Sequence, residues 1–396
     1  MVDAPAVLAV PLSVGRSPVC RVLLNGPGGI TPGGWQPSDN IRVPLAGVIE
    51  AEVTNTNFQS ADTFRVVVAL QDAPVWFDVD YLSTQLFIPV EILMGPSAGD
   101  MLSLIEGLVD DFEYDPVANT VELHGRDYTR YFIDNKTTEK WSNLTASQIA
   151  VVLGRRHGLD VSRVTATSVP IGGRANANQA KVGDGRSEWD LLNWLAGQSV
   201  DALGLSFVVY VSGKYLYFGP RPAVANYFVV CSRPAVRGQA FAVLPAVDPR
   251  QGPAWGGMSL KVSRNISVLR NVVVELRSAQ LRGVATRVVR YPAGAPAPAA
   301  GESVQLYQFV AKPGATVAAM EQEARARQQD ITRHELQLSF TLPGDSVLSQ
   351  SCLLAVSGLS RELDQAYFVQ SVTRHFTGDG GYTMEGVAQN RGVEAA

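Results

Sequence analysis

Histidine and cysteine, the side chains that most often bind metals or act as nucleophiles, are few and scattered in this chain. No two histidines have the H-E-x-x-H spacing and no two cysteines have the C-x-x-C spacing. We therefore predict no metal site, and we expect the cysteines to be buried free thiols, as suits assembly in a reducing cytoplasm. The residues concerned are His124, His157, His334 and His375, and Cys20, Cys231 and Cys352.

Two pairs of carboxylates could act as acid and base in glycoside hydrolysis: Asp110 with Asp111, and Asp78 with Asp80. Acidic residues are also common at turns and strand ends, and we favour that interpretation. No G-x-S-x-G segment occurs, and the glycine-rich segment 26–34 is not followed by a helix that could bind a phosphate. The sequence therefore predicts a protein that is not an enzyme and holds no cofactor.

The charges of the chain are nearly balanced, with 33 Lys and Arg against 37 Asp and Glu and a formal net charge of −4. Proteins that bind nucleic acid tightly carry a clustered basic excess, whereas the only adjacent basic pair here is Arg155-Arg156. We expect no tight nucleic-acid binding, although a weakly negative surface suits a passage through which DNA moves without being held. No apolar run approaches the roughly 20 residues that span a bilayer, so no membrane insertion is predicted.

Short strands separated by turns make up the first third of the chain. They are rich in β-branched and aromatic residues and are bounded by Asn, Asp, Gly or Pro. Because no helix is expected between them, they predict an antiparallel barrel or sandwich. The predicted strands are Gly47 to Thr54, Thr63 to Leu70, Gln85 to Leu93, Met101 to Phe112 and Thr120 to His124.

Two helices are predicted in the middle of the chain. Thr145 and Gln148 have the capping-box spacing, in which each side chain bonds a free N–H group at the start of a helix. Ser187, with Asp190 three residues on, begins the second helix. The glycine-rich segment between them, Gly172 to Gly185, is expected to be a long loop.

A second β region follows. The stretch from Ser206 to Phe218 predicts a hairpin with a Ser-Gly turn. Thr316 to Arg333 has no internal Gly or Pro and predicts a helix. Apolar and polar residues alternate over Leu336 to Leu342, which predicts a strand with one buried face. Ser351 to Val356 and the hairpin from Tyr367 to Val387 complete the series.

Several segments, taken in order and spacing, resemble the baseplate hub family of contractile phage tails, also called late control protein D or the Mu-like tail hub. The first segment is a Gly-Arg-Asp-Tyr motif followed by Ile-Asp, and the second begins at a Trp-Ser-Asn-Leu-Thr helix start. The third is Ser-Glu-Trp-Asp-Leu-Leu, and the hairpin and the late helix with its strand complete the order. The motif residues, to which we assign structural roles, are Gly125, Arg126, Asp127, Tyr128, Asp134, Trp141 and Trp189.

The resemblance implies an α+β, mainly β fold: two tail-tube-like β-barrel domains with a small helix-containing insertion. On this basis residues 1–140 form the first tube-like β-barrel domain and residues 141–205 the helical insertion. Residues 206–262 are the hairpin and a proline-rich connecting region, and residues 263–396 are the second tube-like β-barrel domain with one helix.

The resemblance also implies a function, that of a structural baseplate hub. Hubs of this family form homotrimers in which two similar domains per chain make a pseudo-sixfold ring around the DNA exit channel. Such a ring adapts the sixfold tail tube to the threefold central spike, and its closure removes exposed strand edges. The expected partners are the tail tube protein, the central spike protein and baseplate wedge proteins, in a virion assembled in the host cytoplasm.

Three alternatives stay open from the sequence: a tail-associated peptidoglycan hydrolase, a carbohydrate-binding tail protein, and the hub of a related contractile secretion or injection system. Two interpretations of the Gly-Arg-Asp motif also stay open. Arg126 and Asp127 could form an ion pair across a subunit boundary. Alternatively they lock the turn that leaves the first barrel, with Tyr128 packed beneath, which is the interpretation we favour.

Overall fold

The computed structural model is mainly β, and its described helices lie in three places: one short helix among the first strands, a group of three in the middle of the chain, and one long helix in the second β region. No helix within the part of the chain that it describes is long and apolar enough to cross a membrane. The described residues are 17–25, 43–56, 60–168, 179–181, 187–199, 207–221, 227–232, 242–246, 259–266, 272–278, 286–293, 305–311, 316–332, 335–379 and 381–390.

The first β region consists of strands whose buried and exposed residues alternate, as in β7, where every second side chain is buried. One short helix interrupts it, because the Asp78 carboxylate accepts a hydrogen bond from Tyr81 N and caps the first turn. The elements are β1 (Val19–Leu24), β2 (Val43–Leu45), β3 (Val48–Thr56), β4 (Thr63–Ala69), α1 (Val79–Thr84), β5 (Pro89–Gly95), β6 (Leu102–Asp115) and β7 (Thr120–Asp127).

A helical insertion follows. The predicted capping box of Thr145 with Gln148 is present at the start of α3, and the predicted helix start at Ser187 is confirmed, where Ser187 and Asp190 also form a capping box at the start of α4. The predicted hairpin is also confirmed, with Gly213 at φ +53° in its turn. The elements are α2 (Thr129–Asp134), β8 (Lys140–Ser142), α3 (Ala146–Arg156), β9 (Gln179–Lys181), α4 (Glu188–Gly197), β10 (Phe207–Ser212) and β11 (Tyr215–Pro220).

The rest of the chain supplies the second β region and one long helix, which confirms the predicted late helix and the strands after it. The elements are β12 (Tyr227–Ser232), β13 (Ala242–Ala246), β14 (Ser259–Arg264), β15 (Val272–Ser278), β16 (Arg287–Tyr291), β17 (Gln305–Val310), α5 (Val317–Thr332), β18 (Leu336–Pro343), β19 (Leu353–Ser357), β20 (Ala366–Thr377) and β21 (Gly381–Asn390).

One large sheet runs through both β regions. Four strands of the first region lie side by side in the order β3-β4-β7-β6, and four of the second lie in the order β14-β18-β21-β20. The two blocks join where β20 pairs antiparallel with β3, from Ser371 opposite Thr56 to Thr377 opposite Glu50. The sheet continues beyond β6 through β5, β1 and β2, and beyond β20 through β19, β12 and β13.

The buried apolar residues form a core on one side of each block. Val53, Val66 and Leu123 belong to the core of the first block, and Leu338 and Phe340 to that of the second. A third core joins α2, α3, α4 and the β10–β11 hairpin, and a fourth lies between α5 and the small sheet β16-β15-β17. The α+β, mainly β fold class is therefore confirmed.

Several local predictions need correction. We expected no helix among the first strands, yet α1 occupies residues 79–84, and the strand predicted from Gln85 begins only at Pro89. The expected loop 172–185 contains β9, which pairs with β8, because its described residues meet an open strand edge there. β14 crosses the predicted boundary at residue 262 and pairs with β18. The segment 26–34 and most of 221–257 lie outside the described residues.

Candidate functional site

Arg126 is the centre of an ion-pair cluster at the end of β7. Its Nε atom lies 2.6 Å from Asp110 Oδ2, and its Nη1 atom lies 3.2 Å from Asp134 Oδ1. Arg130 contacts the same two carboxylates at 2.7 and 3.7 Å. All four side chains belong to one chain and are partly exposed, so each pair contributes at most about 1 kcal/mol. The cluster ties β6, β7 and α2 together.

Asp127, the next residue, points into the interior. Its Oδ2 atom accepts a hydrogen bond from Thr129 Oγ1 at 2.8 Å, and its Oδ1 atom accepts one from Thr129 N at 3.2 Å. Burial, together with the nearby Asp62 carboxylate, raises the pKa of Asp127 well above its ordinary value of 3.8. Tyr128 is fully buried and stacks on Tyr131, with the ring centroids 6.1 Å apart. The Asp127 bonds therefore hold the turn from β7 into α2 from within the same chain.

Gly125 is required by a close approach of neighbouring atoms. A Cβ atom at this position would lie 2.2 Å from the carbonyl oxygen of Leu108 on β6 and 2.4 Å from Cζ of Phe64 on β4. No side chain fits there unless the strands move apart, which explains a glycine in the middle of a strand.

The motif tryptophans lie in the third core, beside this turn. Trp141 and Trp189 are 9% and 4% exposed and share one hydrophobic cluster with Tyr128. The Trp189 ring also packs near Phe132, at a centroid distance of 6.2 Å. A tryptophan that binds sugar presents an open ring face, so neither of these two serves as a carbohydrate platform.

A buried carboxylate, which sequence reasoning missed, lies at the start of α4. Glu188 is 2% exposed; its Oε1 atom lies 2.7 Å from Arg156 Nη1, and its Oε2 atom lies 2.5 Å from His157 Nε2. From the sequence we considered His157 only as a possible metal ligand. Because 31 residues separate it from Glu188, no local pattern could reveal the pair.

One face of the large sheet is polar, and a row of directly opposed residues crosses five of its strands. His375 on β20 is opposite Glu52 on β3, and Glu52 is opposite Arg65 on β4. Arg65 is opposite His124 on β7, which is opposite Asp111 on β6. The row therefore passes from the second β region into the first without interruption. His375 Nδ1 and Glu52 Oε2 are 3.3 Å apart across the joint.

Arg65, in the middle of this row, is paired on both sides. Its Nη1 atom lies 2.9 Å from Glu50 Oε2, and its Nη2 atom lies 2.8 Å from Glu122 Oε2, while Nε also contacts Glu122. The hydrogen bonds that Arg65 donates to Glu122 and Glu50 raise the pKa of Arg65, and Arg65 in turn lowers the pKa of Glu122. The positive charge of Arg65 is thus compensated by two carboxylates of the same sheet.

The opposite face of the same joint contains a buried arginine. Arg374 on β20 is 1% exposed. Its Nη1 atom donates to Asn55 Oδ1 at 2.9 Å, its Nε atom donates to the Asp345 carbonyl at 2.9 Å, and its Nη2 atom donates to the Leu348 carbonyl. The Asn55 Nδ2 atom in turn donates to Asp62 Oδ2 at 2.8 Å. Arg374 therefore belongs to a network that crosses from the second β region into the first.

Asp62 supplies the negative charge of this network. Burial raises its pKa to about 6, although the hydrogen bonds from Asn55 and Thr56 and the charge of Arg374 act in the opposite direction. Gln350 of the second β region also donates to Asp62, at 3.3 Å. Since a buried charge is costly unless it is paired and hydrogen-bonded, these residues favour one fixed arrangement of the two β regions.

A cleft of about 630 Å³ lies where the two β regions meet the hairpin of the helical insertion. Asp62, Glu106, Lys214 and Arg374 are among its lining residues. Burial raises the pKa of Glu106, the adjacent Glu91 carboxylate raises it further, and Lys214 opposes both. The acidic and basic residues that line the cleft thus come from the first β region, the hairpin of the insertion and the second β region.

One carboxylate of each pair considered for hydrolysis makes structural contacts. Asp110 bonds Arg126 and Arg130, and Asp78 caps α1 through Tyr81 N at 2.7 Å. Within the described ranges, no group of three or more His, Cys, Asp and Glu side chains is placed to hold a metal ion.

Comparison with solved structures identifies the fold. The 43 kDa tail protein of prophage MuSo2 from Shewanella oneidensis superposes with a TM-score of 0.61 at 14% identity, covering 93% of this chain and 98% of that one. The tail protein from Neisseria meningitidis MC58 gives a TM-score of 0.59 at 14% identity, with 94% and 96% covered. The chain has a phage tail-protein fold.

A third solved structure shares the fold. A Francisella PdpA–VgrG complex, in its lidless form, matches with a TM-score of 0.52 at 9% identity, covering 94% of this chain and 65% of that one. No protein-family model and no curated protein sequence matches the chain. The likeness to the tail proteins is thus one of fold, extending over nearly the whole length of both chains.

Proposed function

We propose that this protein is a structural baseplate hub of a contractile phage tail and has no catalytic activity. Three copies form a pseudo-sixfold ring in the virion, which adapts the sixfold tail tube to the threefold central spike and contacts baseplate wedge proteins. The observation that carries this proposal is the phage tail-protein fold, which spans 93% of the chain and 98% of the MuSo2 tail protein.

The sheet supports the proposed ring. The strand order β3-β4-β7-β6 in the first region and β14-β18-β21-β20 in the second gives each chain two blocks of four strands side by side. Three chains with two similar blocks each make six lobes, which is the geometry that a threefold-to-sixfold adaptor requires. The Arg374 network fixes the two blocks relative to one another within each chain.

The polar face of the sheet is the surface that we assign to the DNA channel. Tight binding to DNA requires cations that are free to neutralise phosphates. On this face Arg65 is already paired with Glu50 and Glu122, and His375 faces Glu52. DNA could therefore pass this surface without being held.

The oligomeric state and the binding partners test the proposal. The full chain, analysed by size-exclusion chromatography with light scattering, is expected to have the mass of a trimer, or to become trimeric with the tube and spike proteins encoded beside it. Electron micrographs should show a six-lobed ring on the tail axis. A monomer that binds neither partner would refute the proposal, and cell-wall clearing in a zymogram would refute the absence of catalysis.

A hub of a contractile secretion or injection system is the second candidate, because the Francisella PdpA–VgrG complex shares the fold. Genes for tube, sheath and spike are expected beside either kind of hub. Capsid genes in the same cluster would decide for a phage, whereas their absence beside an effector gene would favour the second candidate.

A further inference from the structure

The two four-stranded blocks of the sheet are structural repeats of one another. They have the same strand order, so that β3, β4, β7 and β6 correspond to β14, β18, β21 and β20. The fourth strand of each block also has a β-bulge in its pairing with the third, between Val109 and Asp111 in β6 and between Val369 and Ser371 in β20. A bulge adds one residue at a defined place, so its recurrence sets the residue alignment of the repeats.

The alignment extends across all four strands. Counting from the bulge, Glu113 on β6 corresponds to Thr373 on β20. Following the directly opposed residues from strand to strand, Thr54 on β3 corresponds to Ser263 on β14, and Glu52 corresponds to Lys261. Every residue of one block that the register includes thus has a defined counterpart in the other.

The fourth strands of the two blocks, β20 and β6, differ in whether a strand of the other block pairs with them. The second half of β20 pairs with β3 of the other block, whereas the corresponding half of β6, Asp111–Asp115, pairs only with β7 among the described strands. In the same part of the structure, β14 pairs only with β18. The described part of the chain therefore has one open edge that corresponds to β20 and one that corresponds to β3. Open edges of this kind are ready to pair with another strand.

We infer that β6 of one copy pairs antiparallel with β14 of the next copy, in the register that β20 and β3 use within the chain. This inference rests on the proposed ring of three copies and specifies its contact. A contact between two different edges is head-to-tail, so each copy adds the same step and the sheet can close into a ring.

The register brings complementary side chains together. His375 opposite Glu52 within the chain becomes Asp115 opposite Lys261 between copies, so a carboxylate faces an ammonium group where it faces an imidazole within the chain. Thr373 opposite Thr54 becomes Glu113 opposite Ser263.

On the core side of the same edge, Tyr114 is 41% exposed in the single chain and would be covered by Val262, because Arg374 and Val53 are the corresponding opposed pair. The β6 edge carries Asp110, Asp111, Glu113 and Asp115 and would repel a second β6 edge. Charge therefore favours β14 over β6 as the partner.

Disulfide crosslinking tests this register, and the joint between β20 and β3 within one chain provides the positive control. The hydroxyl oxygens of Thr54 and Thr373 are 3.0 Å apart, so a Thr54→Cys, Thr373→Cys double variant should form a disulfide within one chain. The corresponding variant, Glu113→Cys with Ser263→Cys, should link copies. Both of these residues are exposed in the single chain, so the substitutions leave the core intact.

After mild oxidation of the full-length protein, the Glu113→Cys, Ser263→Cys variant is expected to shift to two and three chain masses on a non-reducing gel. The offset pair, Glu113→Cys with Lys261→Cys, and each single variant should remain at one chain mass. A trimer in solution without this crosslink, or with equal crosslinking of the offset pair, would overturn the register and leave the ring standing. A monomer in which only the intrachain control crosslinks would overturn both.

Discussion

Replacing Arg374 with methionine removes the guanidinium group from the joint between β20 and β3 while keeping most of the aliphatic length. Arg374 is 1% exposed and donates to Asn55 Oδ1 and to the carbonyl oxygens of Asp345 and Leu348. The variant leaves these acceptors without their donor and leaves the Asp62 carboxylate without a nearby cation. Removing one member of a buried charged network costs about 3–5 kcal/mol. We expect the free energy of unfolding to fall by about that amount.

Urea unfolding followed by circular dichroism measures this change, and Arg65→Met is the matched control. Arg65 lies on a neighbouring strand but on the polar face, where its side chain is 36% exposed and pairs with Glu50 and Glu122. Ion pairs that water can reach contribute about 1 kcal/mol or less. If Arg374→Met proved no more destabilising than Arg65→Met, the Arg374 network would not hold the two β regions together as described.

Three further predictions concern stability. Burial raises the pKa of Asp62 from 3.8 to about 6, so its contribution to folding is fully present below pH 3.8 and is lost as the pH rises through 6, a change of about 3 kcal/mol. The difference in unfolding free energy between wild type and Asp62→Asn should shift with pH accordingly, and a constant difference between pH 4 and 7.5 would contradict this. Gly125→Ala should cost about 1–3 kcal/mol by overpacking in denaturant titrations, whereas Gly99→Ala, with nothing within 4 Å of the added Cβ, should cost almost nothing; equal effects would refute the close approach. Phe340→Asp buries a charge without a partner at a 2% exposed position and should abolish folding of the second β region, so a soluble variant with wild-type circular dichroism would contradict that placement of β18.

The sequence predicted most of the elements, because the patterns that specify them are local. The capping boxes at Thr145 and Ser187 are formed by side chains three residues from their partners, and both are present. Alternation of apolar and polar residues predicted β18. It failed before β5, where α1 depends on the Asp78 cap rather than on periodicity. It also failed at β9, which forms only because β8 provides a partner.

The placement of the motif residues could not be read from their spacing alone. Arg126 and Asp127 are adjacent in the sequence, yet one side chain meets Asp110 near the surface and the other bonds Thr129 in the interior. That division follows from the strand, whose successive side chains point to opposite faces. The pairing of β6 with β7 decides which carboxylates lie next to the strand on each face.

By itself, the sequence determined the helix starts and the buried face of most strands, since each depends on residues within one or two turns or a few strand positions, and its resemblance to the baseplate hub family predicted the fold class. The tertiary structure alone decided the joint between the two β regions, where Asn55 and Arg374 meet across 319 residues of chain. It also decided the repeat of the two blocks and the two open edges. These features depend on which strands become neighbours and in what register, and strand pairing brings together residues that no local pattern connects.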